Sequence, residues 1–419
     1  MMSCFRLATS LGRALPNRSQ CIRLPQNHST RLDVNLTRRQ LSGKATGTGS
    51  GKKQSNGTFK LAMLGAFVGA ATGSVYTIFT TWTDQNSHKE HEHTPPKILD
   101  SLPAGLRITK RYVNPKDTSG LEIVLFQFQT CPFCCKVRAY LDYMGVSYSV
   151  VEVDAVLRQD IRWSSVKKVP TVLIRQQNGQ YVQMIDSSAI ISLVATYLQD
   201  KRTDIGELAK FYPHISYFDD DGKKRMDILN KYFLMYGERT PKNVTKEIEE
   251  TDRKWRTWAD DHLVHLISPN CYQTLGEAFE TFKWFSKAGE WDVHFPKWER
   301  DLMVYGGATA MWGIAKILKR RHGLTDDVRS HMYDALNNWT RDLKKKNTKF
   351  MGGKQPGLAD LAVFGILSSM EGCQTFKDCL ENTNIGKWFY DVKEIVTQNR
   401  GELHRERIEG VVITSNVNA

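Results

Sequence analysis

The chain has 419 residues, long enough for two domains with ordinary cores. Its formal net charge of +13 is concentrated at one end: residues 1–58 hold seven Arg and three Lys against one acid, Asp33, and the remainder carries only +4. That near-balance argues against a general nucleic-acid role. The eight cysteines show no regular framework, which argues against a disulfide-stapled secreted domain and for a reducing compartment.

Residues 1–58 are rich in Arg, Ser, Thr and Asn, and the start from Met1 to Arg13 can form an amphipathic basic helix. This reads as a mitochondrial leader to be set aside from the fold; a basic tail is the plainer alternative. The following segment, 59–83, contains an uncharged run from Leu61 to Thr83 bracketed by Lys60 and Asp84. As a helix it would be about 34 Å long, enough for one membrane span. Gly65, Gly69 and Gly73 would lie on one face and admit a second helix closely. Lys52, Lys53 and Lys60 before the span favour an N-terminal side facing cytosol or matrix.

A polar linker is expected over 84–120. Its His88, His91 and His93 alternate with acids and have no Cys nearby, so a solvated linker outweighs a metal site. A strand, helix, strand pattern follows: Glu122–Phe128, then Phe133–Met144 stopped by Gly145, then Tyr148–Val153. Two apolar strands joined by a helix predict a parallel βαβ unit. A short helix at Leu157–Trp163 leads to Thr171–Ile174, the Asn178-Gly179 turn and Tyr181–Met184. Asp186-Ser187-Ser188 then caps a helix over Ala189–Leu198. This order over 121–199 is that of an α/β thioredoxin, glutaredoxin-like domain. A charged connector covers 200–222. Helical spacing then runs through Glu247–Ile267 with a stop at Pro269, Leu275–Lys287, Asp301–Arg320, Asp326–Lys345 and the segment opened by Gly357, with Asp360 as its capping carboxylate. The region 223–400 is therefore expected to be all α, with 401–419 as a tail.

The chemistry centres on Cys131-Pro132-Phe133-Cys134 at the strand-to-helix turn. Two thiols so spaced form a redox or nucleophile site in intracellular proteins. The helix N-terminus favours an anion there, Lys136 and Arg138 add positive charge, and the thiolate is the reactive species. Cys131 is the candidate catalytic thiol and Cys134 the candidate resolving thiol. Cys135 reads as packing. In the thioredoxin fold the Val169-Pro170 peptide is cis and faces the thiols, so Val169 offers its backbone to a peptide-like thiol compound beside Pro170. Asp186 and Ser187, at a helix N-terminus, suit a carboxylate. The groove these outline is of glutathione size. Plainer roles stay open: Pro170 as a strand start, Asp186 as a cap, Lys136 and Arg138 as solvated charges. Trp255, Trp258, His262 and His265 follow helical spacing and read as a packed face rather than a haem or metal site.

Those segments, together with Trp258-Ala259-Asp260-Asp261, Leu263–Asn270, Phe350-Met351-Gly352-Gly353 and Leu358–Val363, resemble the membrane-associated prostaglandin E synthase 2 family over about residues 100–400. The resemblance implies a thioredoxin-fold domain joined to an all-α, glutathione-transferase-like C-terminal domain behind an N-terminal membrane segment. It implies an isomerase that takes the lipid endoperoxide prostaglandin H2 to prostaglandin E2 with thiol help, a homodimer, and glutathione, accompanied in some members by haem. By matching position the catalytic thiol falls on Cys131 and the glutathione contacts on Val169, Asp186 and Ser187. Vertebrate members carry Tyr three residues before the first cysteine; here Phe128 has no such hydroxyl. Mammalian relatives are associated with Golgi and cytoplasmic sites, against the mitochondrial reading of the leader. Two rivals remain: a glutaredoxin-like dithiol oxidoreductase needing both thiols, and a non-enzymatic glutathione- or haem-binding membrane protein.

Overall fold

The computed structural model describes residues 93–218, 222, 224–236 and 245–405. The leader and the expected span at Leu61–Thr83 lie outside these residues, and among the described residues no helix is long and apolar enough to cross a membrane. The described chain opens with three short strands, β1 (His93–Thr94), β2 (Ile98–Leu99) and β3 (Lys110–Val113). These precede β4 (Ile123–Gln127), α1 (Pro132–Met144) and β5 (Tyr148–Glu152). A single 3₁₀ turn at Gln159–Ile161 leads to β6 (Thr171–Arg175), β7 (Tyr181–Ile185) and α2 (Ser187–Gln199).

Local chemistry explains these elements. Pro132 occupies the first turn of α1, where its missing N–H costs nothing. Gly145 ends the helix with φ +66°, a left-handed conformation that Gly adopts without a Cβ penalty. β4 is buried along its whole length, as a strand covered on both faces must be. Its Ile123 and Leu125 join Val150 of β5 in a core shared with the helical half. Val124 and Phe126 face a second cluster with Val151 and Leu173, against which Phe128, Trp163 and Val169 pack.

β4 pairs parallel with β5 and antiparallel with β6, and β6 pairs antiparallel with β7. This is the βαβ–ββα arrangement expected of a thioredoxin-like domain. The sheet is wider than that core, with order β10-β3-β5-β4-β6-β7-β2. Its extra strands correct the expected linker and tail: β2 and β3 lie inside 84–120, and β10 (Glu402–Arg405) lies inside 401–419 and pairs with β3. They are two to four residues long, and Lys-Arg-Tyr-Val against Glu-Leu-His-Arg carries no apolar run to announce a strand.

A short helix α3 (Ile205–Ala209) leads to a hairpin of β8 (His214–Phe218) and β9 (Lys224–Ile228), with β1 paired against β8. The region after 222 is thus not all α. Ile215 and Tyr217 alternate on one arm around Ser216, and Met226 and Ile228 on the other around Asp227, a two-residue period too short to stand out in a charged stretch.

The remainder is helical among the described residues: α4 (Lys246–Trp258), α5 (Val264–Cys271), α6 (Leu275–Ala288), α7 (Trp291–His294), α8 (Lys297–Asp301), α9 (Gly307–Arg321), α10 (Val328–Lys346), α11 (Leu358–Ser368), α12 (Gln374–Asn382) and α13 (Ile385–Asn399). A π-helical turn, Ala259–Leu263, joins α4 to α5, and another, Leu302–Gly306, joins α8 to α9. The expected stop at Pro269 does not occur. The helix continues to Cys271, and buried Asn270 donates its side-chain amide to the Leu266 carbonyl at 2.9 Å, holding the last turn. Trp339 anchors the bundle, with Trp255 and Trp388 at ring centroids of 5.0 and 5.2 Å. Asp360 accepts from the amides of Met351, Gly352 and Gly357, each at 2.9 Å, and from Trp388 Nε1 at 3.0 Å. α11 crosses α1 so closely that a Cβ on Gly365 would lie 2.5 Å from Lys136 Cα.

Candidate active site at the thiol turn

Strand register brings the sequence-predicted residues to one end of the sheet. Phe126 pairs with Thr171 across β4 and β6, and just beyond that pair Phe128 and Val169 pack against the same apolar cluster. Thr171 pairs with Ile185 across β6 and β7, which sets Pro170 opposite Asp186. The Val169–Pro170 peptide is cis. Cys131 follows at the turn out of β4, its amide donating to the Phe128 carbonyl at 3.1 Å. It is the N-cap of α1 with extended backbone, and Cys135 N donates to its carbonyl at 2.9 Å.

The thiols differ in environment. Cys131 is partly exposed, whereas Cys134 and Cys135 are buried. The Cys134 thiol donates to the Cys131 sulfur and draws the Cys131 pKa below its ordinary value. Burial opposes this, while the amides of Cys134 and Phe133 and the charge of Arg138 reinforce it. Cys134 moves the other way: burial raises its pKa well above the ordinary value, and its bond to Cys131 raises it further. One sulfur is thus set up as the thiolate and the other as its proton-bearing partner. Burial also raises Cys135, which donates to Gln129 O at 3.4 Å.

Arg138 is not a solvated charge. Its guanidinium donates to Gln127 Oε1 at 2.5 Å, Gln129 O at 2.6 Å and Cys135 Sγ at 3.1 Å. Glu152 fixes the same loop from β5, accepting from Gln129 N at 2.5 Å and Gln127 Nε2 at 3.0 Å. Lys136 departs further from expectation. Its side chain is fully buried, forms an ion pair with Asp260 and donates to Ser188 Oγ at 2.9 Å. It ties α1 to the helical half.

Asp186 has φ +67°, uncommon for a residue with a side chain. Its Oδ1 accepts from Ser188 N at 2.8 Å and Ala189 N at 3.1 Å, so the carboxylate is the N-cap of α2. Burial raises its pKa and Lys231 opposes that shift. Ser187 is buried in the first turn of α2, where backbone N–H groups lack helical partners. Asp186 already occupies the amides of Ser188 and Ala189, so a ligand carboxylate at this corner would meet the Ser187 amide and the helix dipole.

Residues from outside the thioredoxin-like half complete the corner, and sequence reasoning did not assign them this role. Asp260, on the first π-helical turn, accepts from Ser188 Oγ at 2.6 Å and Tyr232 OH at 3.1 Å. Burial would raise its pKa, but Lys136 beside it brings it below the ordinary value. Arg256 Nη2 donates to Ser188 O at 3.0 Å and Ser192 Oγ at 2.7 Å. The one available signal was Asp260 itself, in a segment marked by family resemblance and not by spacing. Among the described residues no group of His, Cys, Asp and Glu is arranged to hold a metal ion. In the helical face expected to be packing, His265 stacks on His322 at 4.5 Å between ring centroids, and His262 lies against Trp258 at 5.9 Å.

The glutaredoxin family pattern matches residues 123–179. Over 397 residues, 92% of this chain and 96% of the relative, the sequence is 37% identical to prostaglandin E synthase 2 of Danio rerio. It is 41% identical to prostaglandin E synthase 2 of Mus musculus over 283 residues, 67% of this chain and 72% of that one. A solved glutathione S-transferase III in apo form overlays 66% of this chain and 95% of its own, with a TM-score of 0.37 and 12% identity.

Proposed function

The chain belongs to the prostaglandin E synthase 2 family, and from that premise we propose that it isomerises prostaglandin H2 to prostaglandin E2 with the Cys131 thiolate meeting the endoperoxide. The observation that carries the residue assignment is the divergence of the two thiols, Cys131 drawn down beside a Cys134 pushed up. The thiolate attacks the endoperoxide oxygen on C9, forming an S–O bond as the O–O bond breaks. The oxygen on C11 leaves as an alkoxide and takes up a proton. Loss of the C9 proton forms the ketone, breaks the S–O bond and returns the thiolate. One proton leaves carbon and one reaches oxygen, so no net redox change occurs and Cys134 need not be oxidised.

Glutathione fits the adjoining corner. Val169, beside cis-Pro170, offers its backbone to a peptide-like ligand, and Ser187 lies in the first turn of a helix whose cap is Asp186. A bound thiol would lie between these contacts and Cys131. No step of this isomerisation is routed through haem. The uncharged stretch at 61–83 supports membrane attachment and its glycine face a homodimer; the basic leader supports mitochondrial delivery, with Golgi as the alternative.

The test is product analysis with purified protein. Cys131→Ser is expected to lower prostaglandin E2 formation by roughly a hundredfold or more; a wild-type yield would remove Cys131 from the mechanism. Cys134→Ser is expected to abolish reduction of a disulfide substrate while isomerisation stays within about threefold of wild type. Loss of both activities together would favour the dithiol reading.

A further inference from the structure

Away from the thiol turn lies a second cleft that the isomerisation does not use. It has a volume of about 650 Å³, within the range of small-molecule sites. Its walls come from the C-terminal end of α6, from α7 and α8, and from the sheet edge made by β3 and β10. Lys283, Lys287, Arg300 and Arg405 line it, against two carboxylates, Glu290 and Asp292. None of these residues belongs to the thiol turn or the corner at Asp186.

His294 makes this more than a charged surface. It lines the cleft, is 7% exposed, and neither ring nitrogen has a hydrogen-bond partner. A buried polar group without a partner is uncommon in a folded protein and calls for an explanation. Glu290 does not supply the partner. Its carboxylate stands 3.8 Å from His294 Nε2, beyond hydrogen-bonding distance, and is held instead by Lys110 at 3.3 Å and Arg405 at 2.8 Å. Burial, helped by the charges of Lys110 and Arg107, brings the His294 pKa down to about 4. Glu290 and Asp292 oppose that shift, and the ring is neutral near pH 7 with an N–H to donate.

The remaining cationic donors of the cleft are not committed to buried acceptors. Lys287 has no carboxylate partner among the described residues. Lys283 and Arg300 have only partly exposed or exposed pairs, with Glu280 at 3.0 Å and Asp301 at 3.6 Å. Pairs of that kind contribute little and exchange readily for a better acceptor. Together Lys287, Arg300, the Ser286 hydroxyl and the His294 ring offer more donors than one carboxylate can satisfy. Three phosphate oxygens can use them, and an Arg fork suits them geometrically.

We infer that this cleft is a binding site for a phosphate monoester, separate from the thiol site. Thr109, which also lines it, donates to the Val150 carbonyl at 3.1 Å. The cleft therefore lies at the thiol end of the sheet, beyond β5. Calorimetric titration of the full chain with phenyl phosphate, and with benzoate as the carboxylate control, tests the assignment. Phenyl phosphate is expected to saturate one site and to bind at least about tenfold more tightly than benzoate. Lys287→Glu, an exposed position, is expected to weaken phenyl phosphate by about tenfold or more while leaving the melting temperature and prostaglandin E2 formation unchanged. His294→Gln should weaken it severalfold; if that variant does not fold, Lys287→Glu decides alone. No saturation by phenyl phosphate, equal affinity for benzoate, or unchanged binding in Lys287→Glu would each overturn the site.

Discussion

Two faces of one helix behave in opposite ways. At the open end of α1, Cys131 is partly exposed and its chemistry is set by close neighbours: its own amide to Phe128, the first-turn amides of Phe133 and Cys134, and the Cys134 thiol. Five residues on, Lys136 is fully buried, and its partners Ser188 and Asp260 lie 52 and 124 positions away in sequence. The first face is a reactive group held by local backbone. The second is a structural charge that exists only because two halves of the chain meet. A reactive thiolate can therefore stand on a helix whose other side is locked, while Arg138 and Glu152 hold the turn itself through the Gln129 backbone.

This contrast also separates what was legible in the sequence from what was not. The strand, turn and helix around Cys131, the turn before β7 and the cap at Asp186 all follow from short-range signals: apolar runs, Pro at a helix start, Gly and Asn-Gly at turns. The thioredoxin-like core appears in the expected order for that reason. Lys136 looked like a solvated neighbour of the thiol because nothing within one helix turn announces Asp260. β2, β3 and β10 were missed because each is held by a partner strand, not by its own periodicity. Pro269 reads as a stop because spacing alone does not show that Asn270 holds the last turn.

The contrast breaks most sharply at Asp260. Asp260→Ala leaves the Lys136 ammonium buried without its carboxylate and is expected to cost about 3–5 kcal/mol in urea unfolding. The double variant Lys136→Met/Asp260→Ala should recover most of that loss, since it removes the stranded charge. A single-variant loss below about 1 kcal/mol, typical of an exposed pair, would mean that the two faces are not as different as burial indicates.

Gly365 tests the same seam by shape instead of charge. A Cβ there would meet Lys136 N at 2.6 Å and Cys135 C at 2.9 Å, both backbone atoms that cannot rotate away. Gly365→Ala is expected to destabilise by about 1–3 kcal/mol, against a helix-propensity gain of up to about 1 kcal/mol that the same change gives in a free helix. A net stabilisation in thermal unfolding would show that α11 can move off α1. Because α1 begins from its N-cap Cys131, Gly365→Ala should also reduce prostaglandin E2 formation, whereas Lys287→Glu in the second cleft should not.

A pH-dependent effect is expected at another long-range contact, between α8 and the segment that follows β5. Glu299 is buried, and its Oε1 has no partner. Burial, then the hydrogen bond and charge of Asp154, push its pKa up to about 8, with Arg107 pulling the other way. The folded protein thus keeps a proton between the two carboxyls that the unfolded chain releases at an ordinary glutamate pKa. The folded pKa is the higher one, so this contribution to stability is fully present below the unfolded pKa and is lost as pH rises through about 8. Glu299→Gln keeps a donor toward Asp154 and removes the titration. Urea midpoints at pH 6, 7 and 8 should therefore fall more steeply for wild type than for Glu299→Gln, the variant gaining relative stability at each step. Parallel pH profiles would place the proton elsewhere and leave Glu299 an ordinary buried carboxylate.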